Sequence, residues 1–263
     1  MIPTTLRFTP DQPVVWLREV CAHDELSVTD AGTLGAVQLL DRLLTTPDGQ
    51  AARATTLATA DRDWLLADLY RQLYGPRIDS TLTCTACAEP FDVNFRLDDL
   101  LTFVQPAEPV AAADPDGRFR LSDGTRFRLP TGADELAVVG LPADEVVAQL
   151  LHRCVEPGGT ETGDTGRAET IQAAMEAVAP LLDMALSARC PECGHAQSVQ
   201  FSMQSFLLNR LRNEQRQVVA DIHQLAVAYR WAHGEIAALP RRLRRMYVGF
   251  IQSERIPADA WLS

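Results

Sequence analysis

The sequence predicts an α+β, mainly helical fold, in which two cysteine knuckles with short strands are joined across a very long insert and followed by a helical C-terminal arm. Three observations lead there. Apolar residues recur at helical spacing along much of the 263-residue chain. Two stretches can be laid on each other, CTACAEPFDVNFRLDDLL from Cys84 and CPECGHAQSVQFSMQSFL from Cys190. Each has Cys-x-x-Cys, then a valine (Val93, Val199) and, two residues on, a phenylalanine (Phe95, Phe201). Finally, the chain from Phe206 to Phe250 reads as helix almost throughout, broken at Trp231 to Gly234 and at Pro240.

Thr5 to Val15 reads as a short extended segment. GTLGAVQLLDRLL then forms a helix with Val37, Leu40, Leu43 and Leu44 on one face, and TPDGQ breaks it. TADRDWLLADLYRQLYG is a second helix, capped by Thr59 or Asp61, striped by Trp64, Leu65, Leu69 and Leu73, and ended by Gly75. FDVNFRL alternates as a strand does, placing Phe91, Val93, Phe95 and Leu97 on one face. QPAEPVAAADPDG reads as a surface loop. RFRLSDGTRFRLP reads as a hairpin turning at Asp123-Gly124. Helices follow from about Asp134 and over PADEVVAQLLHRCV, then a polar, Gly-rich insert, EPGGTETGDTGRAET. IQAAMEAVAPLLDMALSA is expected to be helical up to the second cysteine pair, so that each repeat runs helix, knuckle, strand. The division expected is 1–60 as an N-terminal region, 61–205 as a mixed helix and knuckle domain with the hairpin and inserted helices, and 206–263 as the arm.

Composition bounds the function. With 46% hydrophobic and 22% charged residues the chain can bury a core. It has no apolar run of about 20 residues to span a membrane, and its start lacks a signal-peptide layout; a cytoplasmic protein is expected. The net charge of −11 argues against a general nucleic-acid coat. All 24 basic residues are arginine, which excludes Schiff-base and P-loop lysines.

In a reduced compartment, paired cysteine spacings point to metal before disulfide. Cys84, Cys87, Cys190 and Cys193 supply four thiolates, the closed set that a structural zinc prefers. The expectation is a four-cysteine zinc ribbon with a long insert, tolerable because loop-closure entropy grows only logarithmically. With all four positions filled by thiolate there is no open site for water, so the zinc is read as structural. His195 reads as a surface residue, and Cys21 and Cys154 as small core side chains.

No nucleotide-binding, metalloprotease or nucleophile-elbow motif is present. The five histidines are scattered. Asp221 and His223 lie two apart on a helix and point to different faces, as do His152 and Cys154. Asp98 and Asp99 suit a helix start. No catalytic residue is assigned and no enzyme is expected.

The most individual stretch is DIHQLAVAYRWAHGEIAALPRRLRRMYVGFI, a helix, a tryptophan turn, Glu-Ile, and Pro-Arg-x-x-Arg. It resembles the T-even-type baseplate hub assembly proteins of contractile-tail phages and related bacterial contractile injection systems. The resemblance extends to RDWLLADLYRQLYGPRI, RFRLPTGADELAVV, LLHRCV and both cysteine pairs, covering most of the chain from about residue 60. The turn reads RWAHGE where relatives are expected to read HWSxxE, while Trp231, Glu235 and Pro240 align. What the resemblance implies is a non-enzymatic assembly factor or baseplate-associated component, whose partners are baseplate or tail-hub proteins. Trp231, Glu235, Arg241, Arg242, Arg244 and Arg245 are the expected partner-binding residues, the four arginines forming the one concentrated basic patch; that patch also reads as a solvated helix face. No membrane or small-molecule substrate is expected. The alternative is a zinc-ribbon adaptor for nucleic acid or transcription machinery, against which the acidic ACAEPFD at the knuckle speaks.

Overall fold

The computed structural model describes residues 1–9, 14–105, 113–114, 116–156 and 165–254. The expected loop after Gln105 and the Gly-rich insert fall largely outside them. Strands β1 (Ile2–Thr5) and β2 (Val14–Leu17) lead to α1 (Ala22–Ser27), α2 (Thr33–Leu43) and β3 (Leu44–Thr45). Helix α3 (Thr59–Tyr74) precedes the hairpin of β4 (Arg77–Thr83) and β5 (Pro90–Arg96), then α4 (Leu97–Val104). Next come β6 (Phe119–Arg120), β7 (Arg126–Phe127), α5 (Gly132–Val138), α6 (Ala143–Cys154) and α7 (Thr165–Val178). A second long hairpin, β8 (Asp183–Arg189) and β9 (Ala196–Ser202), runs into α8 (Met203–Tyr229), α9 (His233–Ala238) and α10 (Arg241–Glu254). Among the described residues no helix is long and apolar enough to cross a membrane.

The fold is α+β, mainly helical, with small antiparallel sheets. Three expectations need correction. The helix predicted to reach Cys190 stops at Val178; Pro180 cannot continue it, and Asp183–Arg189 pairs along its whole length with β9. Each knuckle is therefore preceded by a strand. Neither Thr59 nor Asp61 caps α3, whose N-cap is Ala58. The buried stripe of that helix is Leu65, Leu66, Leu69 and Tyr70, and Trp64 lies at its margin.

The chain divides into two compact units. One comprises Met1–Thr4, Val15–Ala52 and Leu208–Ser263; the other comprises Thr5–Val14 and Arg53–Leu207. Residues 15–52 thus belong with the helical arm, where the sequence had suggested a separate N-terminal region. In the first unit Ala22, Val218, Ile222, Leu225, Ile236, Ala237, Val248 and Ile251 form a core. Trp231 stacks on Tyr229 at 4.9 Å and meets Tyr247 edge-on at 5.1 Å, packing the corner between α8 and α10. The second unit has a core around Phe119, Phe127, Leu151 and Ile171.

Each unit contains one copy of the same local construction. The motif Arg-x-x-(Cys/Thr)-x-x-Asp-Glu-Leu occurs at Arg18–Leu26 and again at Arg128–Leu136. In the first copy the Arg18 guanidinium donates twice to Asp24, at 2.7 and 2.7 Å; in the second, Arg128 donates twice to Asp134, at 2.6 and 2.9 Å. Each aspartate also accepts an amide just before its helix, from Cys21 at 2.9 Å and from Thr131 at 3.0 Å. A carboxylate there satisfies a donor that a helix start leaves without a partner and complements the helix dipole. The backbone repeats as well: Arg18 N donates to Leu43 O at 3.1 Å, and Arg128 N to Cys154 O at 2.9 Å. A helix from elsewhere in the chain, later for the first copy and earlier for the second, then starts against the loop before each motif helix, through Arg241 N to Val20 O at 2.7 Å and Thr59 N to Pro130 O at 2.9 Å. Three residues into those helices, Arg244 pairs with Glu25 and Arg62 with Glu135.

Candidate metal centre

The two hairpins that carry the cysteines are built alike. β4 pairs with β5 from Arg77–Arg96 to Thr83–Pro90, and β8 with β9 from Asp183–Ser202 to Arg189–Ala196. Alternation keeps Leu82, Phe91 and Val93 of one hairpin and Ala188 and Val199 of the other in one cluster with Cys84 and Cys190. Phe95 meets Phe201 edge-on, with centroids 5.4 Å apart. At each tip the chain closes in the same way. Cys84 N donates to Glu89 O at 2.9 Å and Ala88 N to Cys84 O at 3.0 Å; Cys190 N donates to His195 O at 2.9 Å and Gly194 N to Cys190 O at 3.0 Å. The residue after the second cysteine takes a left-handed backbone in both, φ 62° at Ala88 and 74° at Gly194. Only the second copy has glycine there.

All four sulfurs lie within 4.8 Å of one another, so Cys84, Cys87, Cys190 and Cys193 could hold a metal ion. The short approaches run between hairpins, Cys84 Sγ to Cys193 Sγ at 3.6 Å and Cys87 Sγ to Cys190 Sγ at 3.8 Å. Cys84 and Cys190 are buried, while Cys87 and Cys193 face solvent. The amides of Cys87 and then Ala86 point at Cys84 Sγ and bring its thiol down to about 6. Cys87 receives the amide of Glu89, which favours its thiolate, yet local desolvation and the sulfurs of Cys84, Cys193 and Cys190 prevail and push it up to about 12. Four thiols this close cannot all ionise against one another; a cation among them removes the conflict. That is the chemistry of a metal-ligand set.

Gln197, which the sequence reading passed over, ties the knuckles together. Its Oε1 accepts Thr85 N at 2.9 Å, and its Nε2 donates to Thr83 O at 3.2 Å. No spacing or motif marks it; its partners become neighbours only when the hairpins meet. His195 is exposed, as expected.

Comparison with protein-family models, with curated proteins and with solved structures finds no match.

The expected partner-binding residues do not form one surface. Arg241 and Arg244 are buried: Arg241 pairs with Glu25 and with Glu214 at 2.6 Å, and Arg244 with Glu25 at 2.6 Å and Asp221 at 3.4 Å. Their spacing on α10 turns both inward against carboxylates of α1 and α8, so the basic patch shrinks to Arg242 and Arg245. Glu235 accepts the amide of Ala232 at 2.9 Å and starts α9, while Trp231 packs the corner. Asp221 is buried and His223 exposed, on different faces of α8. Cys154 is buried as expected, and burial pushes its thiol up to about 11, away from nucleophilic chemistry; Cys21 is only half-buried.

Proposed function

We propose that this protein is a non-enzymatic assembly factor or baseplate-associated component of a contractile injection system or phage tail, held together by a structural zinc. The zinc reading is carried by sulfur spacing. Tetrahedral zinc with bonds of about 2.3 Å separates its thiolates by about 3.8 Å; the two close sulfur contacts across the hairpins are 3.6 and 3.8 Å. Four thiolates fill the shell, so the ion would act as a staple joining sequences more than a hundred residues apart, not as a Lewis acid toward substrate. The baseplate reading rests on the resemblance of the tryptophan turn and the Pro-Arg-x-x-Arg helix. It is supported by the work those residues do: Trp231, Glu235, Arg241 and Arg244 pack, cap and pair the helices of that stretch into one corner. The nucleic-acid adaptor reading is weaker, because Glu89, Asp92 and Glu192 give the knuckles an acidic rim.

The test is to purify intact contractile particles from source cells and quantify this chain in them by mass spectrometry. Stoichiometric retention identifies a structural component. Absence from particles, with baseplate assembly failing on gene deletion, identifies a chaperone. Absence with assembly intact overturns the proposal.

A further inference from the structure

Helices α3 and α10 begin alike but differ on one face. Arg62, Leu66 and Leu69 of α3 are buried, and in the same register so are Arg244, Val248 and Ile251 of α10. That register equates Asp61 and Trp64 of α3 with Leu243 and Met246 of α10, and Asp68 with Phe250. On α3 this face is covered by the irregular segment Arg7–Thr9. Asp61 accepts the amides of Arg7 at 2.7 Å and Phe8 at 3.0 Å and the hydroxyl of Thr9 at 2.7 Å. The Arg7 guanidinium lies over the Trp64 ring at 4.0 Å. On α10 the same face is exposed among the described residues, with Leu243, Met246 and Phe250 at 37%, 48% and 54%. Exposed apolar residues in a row on one helix mark a docking surface more often than scattered ones do.

We propose that this face of α10 docks a short segment of a partner protein that is apolar and bears carboxylates. The apolar character follows from Leu243, which stands where α3 presents the Asp61 carboxylate to backbone amides, and from Met246, whose flexible thioether adapts to the side chains it meets. The carboxylates follow from charge. Arg242 and Arg245 border the stripe and are exposed, and among the described residues Arg245 pairs with Glu214 at 3.4 Å. On a chain of net charge −11, this basic strip is where an acidic segment can approach without repulsion. The surface deepens the proposed function and rests on that reading only for the partner being a baseplate or tail-hub subunit.

The test uses the full chain and a library of random short peptides. Enriched peptides should combine Leu, Ile or Phe with Asp or Glu, and should lose at least about tenfold in affinity, about 1.4 kcal/mol, against both Met246→Asp and Arg242→Glu/Arg245→Glu. Far-UV circular dichroism and metal content of these surface variants should match the parent. Peptides with no acidic bias, or binding that survives the variants, overturn the proposal. So does a large rise in binding on deleting residues 255–263, which would make this chain its own occupant, or a shift from dimer to monomer in Met246→Asp, which would make the face a self-contact. Failure of this surface and failure of the baseplate reading separate cleanly. Peptides that behave as expected while the chain plays no part in particles leave the surface standing; a chain required for particles whose α10 face ignores peptides loses the surface alone.

Discussion

Replacing Arg244 by methionine should destabilise the protein far more than the same change at Arg242 or Arg245, although all three lie in one five-residue basic run. Arg244 is fully buried, and its partners are buried too, Glu25 at 0% and Asp221 at 3% exposed. Removing one member of a buried ion pair leaves charge without compensation and costs about 3–5 kcal/mol. Here the remaining charges keep other contacts: Glu25 keeps Arg241, and Asp221 keeps Gln217 Nε2 at 2.8 Å. The expected loss is therefore near the lower end, about 3 kcal/mol, or about 12–24 °C in Tm for a unit of this size. Arg242→Met and Arg245→Met should change stability by no more than about 0.5 kcal/mol, being exposed. Urea and thermal unfolding followed by circular dichroism measure all three. Adding Glu25→Gln to Arg244→Met should recover part of the loss, since it removes the stranded carboxylate. If Arg244→Met matches Arg242→Met, the side chain does not occupy the buried cluster and the reasoning fails.

Other consequences are as definite. Ala88 holds a left-handed backbone where its counterpart is Gly194. A non-glycine residue there costs about 1–2 kcal/mol, and glycine costs about 0.5–1 kcal/mol in chain entropy. Ala88→Gly should therefore gain about 0.5–1 kcal/mol in denaturant unfolding and Gly194→Ala should lose a similar amount; a loss in the first would refute the shared tip geometry. Asp63 is buried beside Arg62 with the Leu182 amide on its Oδ2 at 3.0 Å, and burial outweighs both in raising its carboxyl to about 6. Its folded pKa exceeds the unfolded one, so stability should fall as pH rises from about 4 to 6, by at most about 3 kcal/mol. Asp63→Asn should flatten that segment of the pH–stability curve, and an unchanged slope would assign it to other groups. Cys190→Ser should release the bound metal and lower the melting temperature, as read by metal analysis and calorimetry; full metal content with unchanged stability would remove the cysteines from the site.

The cysteine pairing was legible because two like spacings in one chain need no tertiary knowledge to suggest a shared ion. The hairpin at Asp123-Gly124 and the long C-terminal helices were legible for local reasons, turn chemistry and periodicity. Asp183–Arg189 was not, because an Ala- and Met-rich run favours helix by propensity, and only pairing with Ala196–Ser202 makes it a strand. The arginines of α10 misled for a related reason. Their helical spacing turns two of the four inward, but what waits there, Glu25, lies 216 residues earlier in the chain. The second repeat, Arg18–Leu26 with Arg128–Leu136, was readable as a motif, yet its meaning appears only when each arginine closes on its aspartate. Gln197 carried no signal at all.

The most direct test of the central claim is metal analysis with X-ray absorption at the zinc edge on the purified full-length protein. The account predicts one zinc per chain with four sulfur neighbours at about 2.3 Å. Protein that folds fully without metal, or a zinc shell containing nitrogen or oxygen in place of sulfur, would contradict it.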